Sequence, residues 1–236
     1  MEKAKEIVDM LTRGGSIDSI NTPLALGILP LVESIGDVEL LGRLVEHAQT
    51  AAKDDVERGW ARFEYLKRNS GGIDEFAELA FESESLENGA PLAAAVLHHH
   101  GLMLLSLDEN EAAQTSVRRS LTLRESIEDK EGMIYGLAVL SHCARIAQDW
   151  DTAILHDTRR LELAIGMDKV VLRMESVADM VYAQASLGDH GHSSLAAAHW
   201  PVVTFSELGC FLFRLGLISL RFRNWAKRGA NGCTRS

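Results

Sequence analysis

The amino-acid sequence predicts an all-α chain in which about five antiparallel helix pairs stack into a solenoid. Three observations lead there. Leu, Ala and Glu abound while only four prolines occur in 236 residues, and those abundant types lose little on entering a helix. Acidic residues that open an apolar segment recur at Asp37, Asp74, Glu109, Asp149 and Asp189, at intervals of 37, 35, 40 and 40 residues. Each interval also holds two apolar stripes of helical spacing, separated by a short polar break.

Taken in order, the chain starts with a helix near 2–12. Pairs follow near 22–35 with 37–53, 55–68 with 73–87, 91–107 with 109–126, and 130–147 with 149–166, and a fifth pair begins near 169–187. "RNSGG" and "ENGAP" are the clearest connectors, because Gly and Pro stop helices. The best stripe runs through Ile134, Leu137, Ala138, Ser141 and Ala144; after "AQDWD" a second uses Ala153, Ile154, Leu161 and Ala164. An acidic residue at the start of the second helix suits the partial positive charge of a helix N-terminus. A single pair leaves its apolar stripe open, so pairs must stack on one another.

Residues 91–190, and more weakly 22–90, resemble the tetratricopeptide repeat family in its longer-repeat form, seen in bacterial signalling regulators and scaffolds. There a small residue on the first helix packs on a small residue twelve positions later, and Gly101 with Ala113 and Ser141 with Ala153 keep that spacing. The resemblance implies a right-handed superhelix whose first helices line a concave groove. The family's tryptophan on the first helix and its closing proline are missing from the two best copies. Asp157 stands where the family buries an apolar side chain, a place held by Val117 one repeat earlier.

On that register the groove would be lined by His98, Leu102, Leu105, Tyr135, His142, Arg145, Glu175 and Tyr182. This mixture of aromatic, aliphatic and charged groups suits partner recognition. The bland alternative is that half of them pack on the neighbouring layer. The run His98, His99, His100 turns about 100° per residue on a helix, so the three rings cannot chelate one ion together. "GDHGHS", with Asp189, His190 and His192, looks like a ligand cluster, but a helix start explains Asp189 without metal. No metal or other cofactor is expected.

Catalysis is not expected either. The chain lacks a G-x-S-x-G elbow, a P-loop, a G-x-G-x-x-G turn and an H-E-x-x-H pair. Ser141, His142 and Cys143 diverge on a helix, so they cannot form a relay, and Cys143 reads as a packing residue. A net charge of −10 argues against direct nucleic-acid binding, which draws on cationic contacts to phosphate. Three widely spaced cysteines build no disulfide framework and fit a reducing compartment, the cytoplasm.

Two regions are expected: a repeat domain over 1–200 and an apolar, basic tail over 201–236. The tail holds six Lys/Arg against one acid, and between Leu208 and Leu220 only Arg214 is charged. That run is shorter than the about 20 residues a bilayer span needs. Three readings compete for it: a helix capping the last layer, a membrane-surface or partner-binding element, and a non-native extension from a shifted frame. The functional expectation is a non-enzymatic scaffold that binds a protein or peptide in its groove, with membrane contact limited to the tail and homo-oligomerisation open. The alternative is a small-ligand or metal sensor using the histidine-bearing groove.

Overall fold

A computed structural model describes residues 2–187. Residues 188–236, including Asp189, His190, His192 and the tail over 201–236, lie outside the described residues. Ten helices follow one another and no strand occurs among the described residues. They are α1 (Glu2–Thr12), α2 (Thr22–Ile35), α3 (Val38–Ala51), α4 (Asp55–Arg68), α5 (Ile73–Glu84), α6 (Ala90–Ser106), α7 (Asn110–Ser126), α8 (Lys130–Ile146), α9 (Trp150–Gly166) and α10 (Val170–Leu187). Every element expected over residues 2–187 is present, with ends shifted by a few residues at most; the second helix of the fifth pair would fall outside the described residues.

From α6 onward the helices begin at 90, 110, 130, 150 and 170, a strict period of twenty. The turns explain it. Asn88, Asp108, Glu128, Gln148 and Asp168 all have φ between 52° and 63°. The last four close the same pair of backbone bonds: Asp108 N donates to Leu105 O, and Glu109 N reaches back to Leu104 O at 3.0 Å. Glu128, Gln148 and Asp168 repeat that geometry, which satisfies the orphan carbonyls at a helix end.

Several helix starts are fixed by side chains, although Glu109 before α7 makes no capping bond. Asp37 accepts from Leu40 N, Asp54 from Glu57 N and Asp149 from Thr152 N, each at 2.8–3.1 Å. Asp74 sits inside the first turn of α5, where Glu75 instead accepts from Gly72 N at 2.7 Å. Pro23 and Pro91 occupy first-turn positions, where a missing N–H costs nothing.

The chain divides into two compact units, Met1–Cys143 and Ala144–Ser236. In the first, α1 to α4 enclose Val8, Leu11, Ile28, Leu29, Val32 and Leu44, and Phe63, Phe76, Leu92, Val96 and Leu97 form a second cluster. Full burial of one such side chain stabilises by about 1.5–3 kcal/mol. Gly101 on α6 is buried against α7: a Cβ there would overlap Val117 and stand 3.2 Å from the Ala113 carbonyl. The close approach expected from the Gly101/Ala113 spacing is therefore real. In the second unit Leu161, Val177 and Met180 form one cluster and Ala144, Ala153 and Ala183 another, with α9 packed along α10.

Candidate functional site

The three consecutive histidines of α6 turn to three different neighbours, as their 100° steps require. His99 lies among aromatics, 4.8 Å from the Phe76 ring centre and 5.8 Å from that of Phe63. His100 shares a 2.9 Å hydrogen bond with Ser116 Oγ on α7. His98 is the most enclosed: burial, then the nearby Arg124 guanidinium, then His99 lower its pKa from 6.5 to about 4. Its Nδ1 is buried and finds no hydrogen-bond partner among the described residues. Its ring is half-buried and held neutral, more enclosed than Leu102 on the same helix.

Leu102 and Tyr135 stand 40% and 47% exposed, His142 is exposed and Leu105 is half-buried. Leu102, His142 and Tyr182 share one register position at the forty-residue repeat. Tyr135 falls seven residues, two turns, before that position on α8, hence on the same stripe. Tyr182 meets the Trp150 ring edge-on at 6.0 Å.

Arg145 and Glu175 take part in an ion cluster. In the second unit, Arg145 Nη1 lies 3.0 Å from Asp157 Oδ2, and its Nη2 lies 3.8 Å from Asp179 Oδ1. Arg160 reaches Asp179 Oδ2 at 2.7 Å, Glu175 Oε2 at 3.2 Å and Asp157 Oδ1 at 3.9 Å. Two guanidiniums thus knit three carboxylates across α8, α9 and α10. Asp157 is fully buried, so the one acid that departs from the repeat pattern is offset by two arginines, as a buried charge must be. Arg145 and Glu175 are structural partners in this cluster. Sequence reasoning missed the cluster, although an Asp in an apolar slot is the signal that could have found it.

Cys143 is buried and reduced, and burial pushes its thiol pKa up against the lowering effect of Arg118. A thiol held protonated is a packing group and not a nucleophile. Among the described residues no group of three or more His, Cys, Asp or Glu could hold a metal, and no helix is long and apolar enough to cross a membrane.

No family model matches the chain, and no curated protein matches it. Among solved structures it is similar to the crystal structure of BtubC (BKLC) from P. vanneervenii. The TM-score is 0.57 at 12% identity, over 75% of this chain and 77% of that one. BtubC is a helical-repeat protein, and a likeness at this identity shows the fold alone: ten consecutive helices in a helical-repeat architecture.

Proposed function

We propose that the chain is a non-enzymatic, cytoplasmic binding module of the tetratricopeptide type, presenting one stripe of its first helices to a protein or peptide. The observation that carries this reading is the contrast along α6 and α8. Positions such as Leu97, Gly101, Leu137 and Ser141 are closed by packing, while Leu102, Tyr135 and His142 stay open on one register. An exposed Tyr and Leu on rigid helices lose little entropy on contact, which suits them as anchors. The ring directions of His98, His99 and His100 lend no support to a metal-sensing alternative.

The test is capture of partners from the source cell by the full chain and by a Leu102→Ala/Tyr135→Ala variant. Loss of two anchors should weaken capture roughly tenfold or more with helicity unchanged. Equal capture by both proteins, or no capture by either, overturns the reading.

A further inference from the structure

Charge is segregated between the helices of the first unit. α6, APLAAAVLHHHGLMLLS, holds no Asp, Glu, Lys or Arg, and α8 holds none between Glu131 and Arg145. The second helices α5 and α7 carry five charged residues each. A helix without a polar face is ordinarily covered on all sides. The end of α6 is not. From Leu102 to Leu107, four leucines with Met103 and Ser106, no residue is buried, and Leu107 stands 61% exposed. On α8 the positions 131, 135, 138 and 142 follow one stripe, and none of them is buried either: Glu131, Tyr135 and His142 are exposed and Ala138 is half-buried.

This uncharged stripe ends in acid on both sides. Glu131 stands one turn before Tyr135, and at the opposite end the turn after α6 presents Asp108 and Glu109, both exposed. By the forty-residue register Glu131 is level with position 91, so the two acidic ends lie about 25 Å apart along the helix axis. Few cations offset them: Lys130 adjoins Glu131, and the nearby Arg124 is bound to Asp129 at 2.7 Å. These acids decide between occupants. A second copy would bring the same acids to the contact, and anionic lipid or nucleic acid would be repelled in the same way. An apolar helix with basic ends gains at both ends and covers the leucines between them.

We propose that the stripe of Leu102 and Tyr135 takes an apolar helix of a partner protein, about 17 residues long, that carries Lys or Arg at both ends. This assignment rests on the binding stripe proposed above and names the chemistry of its ligand.

The experiment uses the full chain and three synthetic helical peptides of about 18 residues, read by fluorescence anisotropy. They share one Leu/Ala face and end at both termini on Lys-Lys, Gln-Gln or Glu-Glu. At low salt the Lys-ended peptide should bind roughly tenfold tighter than the Gln-ended one and the Glu-ended one least, with the gap closing at about 0.5 M salt. Asp108→Asn/Glu109→Gln/Glu131→Gln should bring the three peptides to equal affinity; Asn tolerates the positive φ of position 108. Asp9→Asn/Glu39→Gln/Glu46→Gln removes the same charge elsewhere and should keep the preference. Its loss there would mean that net charge alone attracts the peptide, which overturns the proposal. Equal binding of all three peptides to the parent, abolished by Leu102→Ala/Tyr135→Ala, overturns the basic ends and leaves the stripe standing. Binding that Leu102→Ala/Tyr135→Ala does not weaken, or no binding of any peptide, overturns the assignment of this partner. A dimer in sedimentation that the same variant dissolves would give the stripe to a second copy and overturn it too.

Discussion

Arg145 places its guanidinium 3.0 Å from Asp157, a carboxylate with no exposure to solvent, and Arg160 supports the same acid from the opposite oxygen. The members of the cluster are not equivalent: Arg160 meets all three carboxylates, whereas Asp157 meets the two arginines. Removing Asp157 leaves Arg145 facing Asp179, and Arg160 facing Asp179 and Glu175. Removing Arg160 takes a guanidinium from all three carboxylates, the fully buried Asp157 among them. Arg160→Met should therefore cost about 3–5 kcal/mol, the range for breaking a buried pair, and Asp157→Val distinctly less. The double variant should cost less than the sum of the two, because the two side chains contact each other and share partners. Urea unfolding of the three proteins checks the order; a milder effect for Arg160→Met would contradict it.

His98 sets a dependence on acid. Its folded pKa of about 4 lies below its ordinary 6.5, chiefly because burial disfavours the imidazolium. Between those values the unfolded chain binds a proton that the folded chain refuses. The contribution of neutral His98 is thus complete above about pH 6.5 and is lost as pH falls toward 4, about 3 kcal/mol in all. His98→Leu removes this titration. Comparing denaturation at pH 7 and pH 4.5, the variant should lose about 2–3 kcal/mol less than the parent. The lowered pKa values of His99 and His100 are shared by both proteins and cancel in the comparison. Equal losses would mean that His98 is solvated.

The helices were legible because their signals are local. Side-chain caps at several starts, glycine connectors and three-and-four spacing mark the segments without reference to their neighbours. The ion cluster was not legible, and the arginine pairs show why. "RR" occurs at 118–119 in α7 and at 159–160 in α9, which looks like one motif repeated, but the offset is 41 residues and the structural period is 40. One residue on a helix is a turn of 100°. Arg119 consequently points outward to Glu84 at 2.7 Å, and its true counterpart is exposed Arg159. Arg160 instead matches Ser120, a buried hydroxyl that donates to the Ala94 carbonyl at 2.6 Å, and so is carried inward. The exposure of the expected lining residues was half legible for a related reason. Register says which residues share a stripe, but only packing decides that Leu102 stays open while His98 does not.

Two glycines of the first unit, each facing side chains of α7, should respond to alanine in opposite directions. Both sit in helix interiors, where alanine is favoured over glycine by about 1 kcal/mol. At Gly136 on α8 the added methyl would meet Leu121 Cδ1 at 3.7 Å, an ordinary contact, so Gly136→Ala should stabilise by about 0.5–1 kcal/mol. At Gly101 the methyl would run into Val117 and press on the Ala113 carbonyl, and backbone cannot yield as a side-chain tip can. Overpacking of that kind costs about 1–3 kcal/mol, enough to cancel the propensity gain and leave Gly101→Ala destabilised. Thermal or urea unfolding of the two single variants decides it. A gain at both positions would show that α6 and α7 can part without cost, and the close approach at Gly101 would then not govern their packing.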